Sequence, residues 1–195
     1  MLLMFAAVLW AQQPASSPRR ASKAKTTIPD PGAISNGVYR NSAFGFSYKI
    51  PYGWVDRTAD MQDESAETSK SRLLLAIFER PPEASGETIN SAVVIAAEPI
   101  TAGTKSAAEY FESLSALTTA KGFEEKEEPQ DFSIGMTKLV RGDFSRARGT
   151  LTMRQTSLVM LEKGYAISFT FIGGSEDDVN ELIEKLSFVA RKPQR

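Results

Sequence analysis

The chain has 195 residues, 42% of them hydrophobic and 24% charged, with 23 basic side chains against 24 acidic ones. That is the composition of one soluble globular domain with extensions, and it excludes a disordered or fibrous chain. There is no histidine and no cysteine, which excludes Ser-His-Asp and Cys-His nucleophiles, thiolate or imidazole zinc sites, disulfides, iron–sulfur clusters and cysteine-linked lipid anchors.

Residues 2–11, LLMFAAVLWA, are an uncharged apolar run. The run is too short for a permanent membrane span and has the length of a signal-peptide hydrophobic region. With Ala11 as the small residue before a cleavage point, 1–11 read as a signal peptide. The protein is therefore expected to be exported, periplasmic or extracellular, with no stable membrane anchor after cleavage. Its front end, Met1-Leu2-Leu3, lacks the usual Lys or Arg, and the competing reading is a buried strand or helix.

Residues 12–35 carry Pro14, Pro18, Pro29 and Pro31, many small polar residues and the basic cluster Arg19, Arg20, Lys23, Lys25. With almost no large apolar side chain to offset ordering entropy, they read as a disordered linker. Without that cluster the chain holds 19 basic against 24 acidic residues. An acidic domain is not expected to have nucleic acid as a partner.

The remaining 36–192 are expected to form a single domain. Phe44, Phe46, Tyr48 and Ile50 alternate with small or polar residues, which predicts a strand with four large side chains on one face, broken by Pro51-Tyr52-Gly53-Trp54. Arg72–Arg80 and Ser91–Ala97 are short continuous apolar runs, the pattern of central strands covered on both faces. Ser106 followed by Glu109 matches a capping box. Behind it Ala107, Tyr110, Phe111, Leu114 and Leu117 predict an amphipathic helix ending near Gly122. Lys138–Phe144, Thr150–Leu161 and Tyr165–Ile172 follow as strands, the last two joined by a hairpin at Lys163-Gly164. A second helix starts at Ser175, with Glu176, Asp177 and Asp178 in its first turn and Val179, Leu182, Ile183, Leu186 and Val189 on one side. The order predicts an α+β fold: a three-layer α/β/α sandwich with a mainly antiparallel central sheet of about six strands and two main helices.

Four groups of residues carry candidate chemistry. Trp54 with Tyr52 offers a stacking platform for a sugar or peptide, although a core plug at the sheet end is the preferred reading for Trp54. Asp60, Asp63, Glu64 and Glu67 offer oxygen ligands to a divalent metal, but their spacing matches no calcium loop and a solvated loop is preferred. The stretch Glu124, Glu125, Glu127, Glu128, Asp131 reads as an exposed connection or edge strand. Arg141, Arg146, Arg148 and Arg154 are candidates for an anion-binding patch, against the simpler reading of exposed strand arginines opposite acidic neighbours; Arg141-Gly142-Asp143 reads as a turn at a strand end.

The run Gly37-Val38-Tyr39-Arg40-Asn41 followed by Phe44-Gly45-Phe46-Ser47-Tyr48-Lys49-Ile50-Pro51-Tyr52-Gly53-Trp54 resembles the opening of PsbP-like and DcrB-like domains. The stretch Lys163–Phe171 leading into Ser175-Glu176 and a final amphipathic helix is similar to their closing hairpin and helix. The resemblance spans 37–190 and implies an α/β/α sandwich in a group of mostly non-enzymatic accessory proteins and chaperones. A histidine-dependent metal site of such proteins has no counterpart in this chain.

The expected function is accordingly that of an exported, non-catalytic accessory or protein-binding domain, with no cofactor and with another envelope or secreted protein as partner. The alternatives are a carboxylate-based binder of divalent metal or small ligand, and a chaperone for hydrophobic segments.

Overall fold

The structure, a computed structural model, describes residues 30–65, 71–83, 86–100 and 103–189. The expected signal peptide 1–11 and the linker as far as residue 29 lie outside the described residues.

Residues 30–35, assigned above to the linker, belong to the folded domain. Ala33–Ser35 form strand β1, which pairs with β2 (Val38–Asn41) across the turn Asn36-Gly37. The segment before it is clamped. The Tyr39 hydroxyl donates to the Pro31 carbonyl at 2.6 Å, and Asn41 Nδ2 donates to the Asp30 carbonyl and to Tyr39 Oη, both at 3.1 Å. Asn41 is buried, and its Oδ1 accepts from the Phe44 N–H at 3.0 Å, so its polar atoms are satisfied, as burial requires.

β1 and β2 continue into β3 (Phe46–Lys49), and the four-stranded sheet closes with β12 (Leu186–Phe188) in the order β1-β2-β3-β12. Here the chain departs from expectation. The last helix, α3 (Glu176–Ile183), stops before Leu186, which pairs with Tyr48 in the sheet. Leu186 keeps a buried apolar position, but in a strand, and Val189 is exposed.

The larger sheet contains β4 (Val55–Asp56), β5 (Arg72–Phe78), β6 (Ala92–Pro99), β7 (Glu124–Glu125), β8 (Gln130–Ile134), β9 (Thr137–Arg148), β10 (Leu151–Glu162) and β11 (Tyr165–Gly173). Its order is β4-β5-β6-β11-β10-β9-β7, with β8 also paired to β9, and every pairing in both sheets is antiparallel. The described residues thus hold an eight-stranded and a four-stranded sheet in place of about six strands. β5 is not central, because only the two-residue β4 lies beyond it.

Side-chain alternation gives the large sheet two covered faces. Val93, Ile95, Leu158, Ile167, Phe169 and Phe171 point to one face, where they meet Phe46 and Tyr48 of the small sheet and Val179, Leu182 and Ile183 of α3 in the main core. Phe46 meets Phe169 edge-on at 5.0 Å, and the buried Tyr48 hydroxyl donates to the Leu182 carbonyl at 3.1 Å. The opposite face carries helix α2 (Ala107–Ala120), whose Phe111 packs with Phe123, Val140, Phe144 and Val159. Helices lie on both faces, but on one of them a second sheet shares the work.

Helices α2 and α3 start where their serines cap them. Ser106 Oγ accepts from the Glu109 N–H at 3.1 Å, while the Glu109 carboxylate reaches the Lys105 N–H at 2.6 Å, one residue before the expected partner. Ser175 and Asp178 form the reciprocal capping box. Leu117, expected on the buried stripe of α2, is exposed, and Thr118 is buried in its place. A third helix, α1 (Thr58–Ser65), occupies the acidic stretch read as a loop. Asp56 accepts from the Thr58 N–H at 2.9 Å at its start.

Candidate functional site

Two concavities stand out among the described residues. The larger, about 1110 Å³, opens where the ends of the small sheet meet the β4–β5 edge of the large one. Its apolar walls are Ile34, Ile50, Trp54 and Ile77; Lys49, Lys185, Asp56 and Glu184 supply charge around them. The Pro51–Trp54 turn builds one wall: the Trp54 N–H donates to the Pro51 carbonyl at 3.4 Å, and Gly53 takes φ 82°. This turn lifts Tyr52 off the surface, where its side chain is fully exposed, whereas Trp54 is half-buried and packs against the main core. Trp54 thus packs against the core and also lines the cleft.

Several charges at this cleft are already engaged. Asp56 accepts from the Thr58 N–H and hydroxyl, and Lys185 Nζ donates to the Glu181 carbonyl at 3.1 Å. Ile34, Lys49, Glu184 and Lys185 were missed in the sequence. Ile34 fell within the stretch read as linker, although the pattern Ile34-Ser35-Asn36-Gly37-Val38 is itself a hairpin signal.

The smaller concavity, about 380 Å³, lies between α3 and strands β9 and β10. Arg141 makes a two-pronged contact with Asp143, Nε–Oδ2 at 2.9 Å and Nη2–Oδ1 at 3.0 Å, and reaches Asn180 Oδ1 at 3.3 Å. Asp143 Oδ1 also accepts from the Thr156 hydroxyl, and Arg154 pairs with Glu176 at 3.4 Å. The converging polar groups thus largely satisfy one another.

The four arginines do not gather into one patch. Arg141 and Arg154 lie on the α3 side of the large sheet, whereas Arg146 and Arg148 alternate onto the other. Arg146 donates to the Lys121 carbonyl at 3.0 Å and stacks over Phe123, and Arg148 is exposed at the end of β9. Arg141-Gly142-Asp143 is no turn but the middle of β9, with Gly142 facing α2 and its two neighbours facing α3. The acidic stretch from Glu124 becomes the edge strands β7 and β8.

Of the four carboxylates proposed as metal ligands, Asp60 is held by Arg57 at 2.7 Å. Asp63 and Glu64 lie on α1 with side chains outside the described atoms, and Glu67 lies outside the described residues. Among the described residues no three acidic side chains are grouped so as to hold a metal ion. No described helix is long and apolar enough to cross a membrane. Burial favours the neutral form of three tyrosine hydroxyls: Tyr39 is pushed up to about 12, and Tyr48 and Tyr110 are also raised, the last with help from the Glu98 carboxylate. A phenol so held is no base near neutral pH.

No family model matches the chain, and no curated protein matches it. Its likeness is to solved structures. One is LpqN of Mycobacterium tuberculosis, involved in cell envelope biogenesis, at 14% identity over 83% of this chain and 87% of that one, with a TM-score of 0.46. Another is the Ran-binding protein Mog1p of Saccharomyces cerevisiae, at 10% identity over 80% and 97%, TM-score 0.46. A third is cyanobacterial PsbP from Synechocystis sp. PCC 6803, at 10% identity over 81% and 96%, TM-score 0.46. Of a Bacteroides thetaiotaomicron protein that it also resembles, the chain spans less than half, 46%. The solved structures to which this chain is similar thus include a PsbP, one of the two groups, PsbP-like and DcrB-like, whose opening its Gly37–Trp54 run resembles.

Proposed function

We propose that the protein is an exported, non-catalytic domain that binds another envelope or secreted protein at the cleft beside Tyr52. The observation that carries this reading is Tyr52 itself, a fully exposed aromatic ring held on a tight turn above an apolar-walled cleft of about 1110 Å³. Aromatic side chains next to apolar pockets are the usual anchors of protein–protein contacts, because they bury a large area while ordering few torsions. Ile34, 44% exposed, extends the apolar surface on the same cleft. The signal-like run 2–11 supports export.

The test is photo-crosslinking in the cell of origin, with a benzophenone amino acid placed at Tyr52 and, as control, at the exposed Met136 of the β8–β9 turn. The expected result is a discrete adduct with one envelope or secreted protein from position 52 and none from 136. The same adducts from both positions, or none from 52, would overturn the reading.

A further inference from the structure

We infer that the partner enters as an extended strand, pairing with the free edge of β1 and carrying acidic side chains on the face away from the cleft. This deepens the reading above and rests on it. Ser35 and Val38 flank the two-residue turn Asn36-Gly37, so they form the hydrogen-bonded pair next to the turn. The other side of β2 agrees in phase, because the Gly37 carbonyl accepts from the Ile50 N–H on the β3 side at 2.8 Å. By alternation the backbone N–H and C=O of Ile34 point outward, away from β2, and β1 pairs with no other described strand.

Proteins usually blunt such edges with charge or proline. β4 carries Asp56, β7 is Glu124-Glu125 and β8 carries Asp131. β1 is Ala33-Ile34-Ser35, all exposed, with neither; β12, at the opposite edge of the small sheet, also has neither but is not exposed throughout, its Leu186 being buried.

The two faces of the small sheet say what the added strand must carry. Ile34 stands in register with Tyr39, Tyr48 and Leu186, so a side chain placed opposite it would extend an apolar row and lie in the cleft. On the other face, Ala33 stands opposite Arg40, an exposed guanidinium with no ion pair among the described residues. Ala33 is too small to cover it. This face presents no carboxylate from its four strands, on a domain rich in acid overall. The complement is a strand with apolar residues on one side and Asp or Glu on the other.

The probe is the acetylated, amidated peptide Thr-Glu-Val-Glu-Val-Glu-Thr, with Thr-Lys-Val-Lys-Val-Lys-Thr as its charge-reversed counterpart, titrated into the full chain and followed by amide NMR. The glutamate peptide is expected to bind saturably at or below millimolar concentration, to slow hydrogen exchange at the Ile34 amide, and to bind at least about tenfold more tightly than the lysine peptide. Arg40→Glu should reverse that preference. Ile34→Pro, which removes the outward donor but keeps the inward bonds of Ala33 and Ser35, should weaken binding of the glutamate peptide at least about tenfold. No binding of the glutamate peptide at millimolar concentration, binding without protection of Ile34, or equal binding of both peptides would overturn strand addition. If the Tyr52 adduct persists unchanged in the Ile34→Pro protein, the cleft binds its partner by another mode, and this inference fails while the broader reading stands.

Discussion

Gly142 lies directly beneath Phe111, the buried anchor of α2. A Cβ at this position would sit 2.5 Å and 2.6 Å from two carbons of the Phe111 ring. The ring stacks at 6.3 Å on Phe144 of the same strand and is fully buried, so it has little room to retreat. Gly142→Ala is expected to destabilise the protein by about 1–3 kcal/mol through overpacking, even though alanine suits an extended backbone. Urea unfolding would measure it. The cost should shrink in the double variant with Phe111→Leu, because the smaller side chain removes the clash; two losses that simply add would contradict the account.

At the scale of elements, α3 starts at a reciprocal cap. Ser175 Oγ accepts from the Asp178 N–H at 3.1 Å, and Asp178 Oδ2 accepts from the N–H groups of Gly174 at 3.2 Å and Ser175 at 3.0 Å. Ser175→Ala leaves the first turn with a donor lacking its side-chain acceptor, and should lower stability by about 1 kcal/mol. Because Val179, Leu182 and Ile183 of this eight-residue helix pack into the main core, the loss should appear as faster hydrogen exchange in α3 and in β12 behind it. Unchanged exchange in both would show that the cap does not hold the helix.

The same elements show what could be read in the chain and what could not. Ser106, Ser175 and the alternation from Phe44 to Tyr48 are local signals, and they mark the starts of α2 and α3 and the middle of β3, though not the end of α3. Leu186 is different. Its apolar side chain fits a continued helix face equally well, and only the open side of β3, where it pairs with the distant Tyr48, draws it into a strand. Gly142 misleads for a related reason, since glycine in isolation signals a turn, and its use here is the approach of a ring from a helix some thirty residues earlier. The cleft was half legible: Tyr52 and Trp54 stood out as aromatics beside Pro51 and Gly53, whereas the Ile34 wall depends on a hairpin hidden in a proline-rich stretch.

For the molecule as a whole, the absence of histidine and cysteine predicts a distinctive pH profile. No side chain with an ordinary pKa between about 6 and 8 exists to change charge there, so stability should be level across neutrality. The alkaline side is set by buried phenols. Burial raises Tyr39 to about 12, partly opposed by its hydrogen bond with Asn41, and raises Tyr48 and Tyr110 as well. The unfolded chain releases these protons near pH 10, while the folded protein holds them. Their contribution is therefore fully present below about pH 10 and is lost as the pH rises through the folded values of about 12 and above. Urea midpoints measured from pH 6 to 11.5 should be flat up to about 9 and then fall. In Tyr48→Phe the fall should be less steep, because one of the protons that separate the folded from the unfolded state is gone, whatever the variant does to the level of the plateau. A midpoint that drifts across neutrality, or an alkaline slope that Tyr48→Phe leaves unaltered, would mean that groups other than these tyrosines govern the profile.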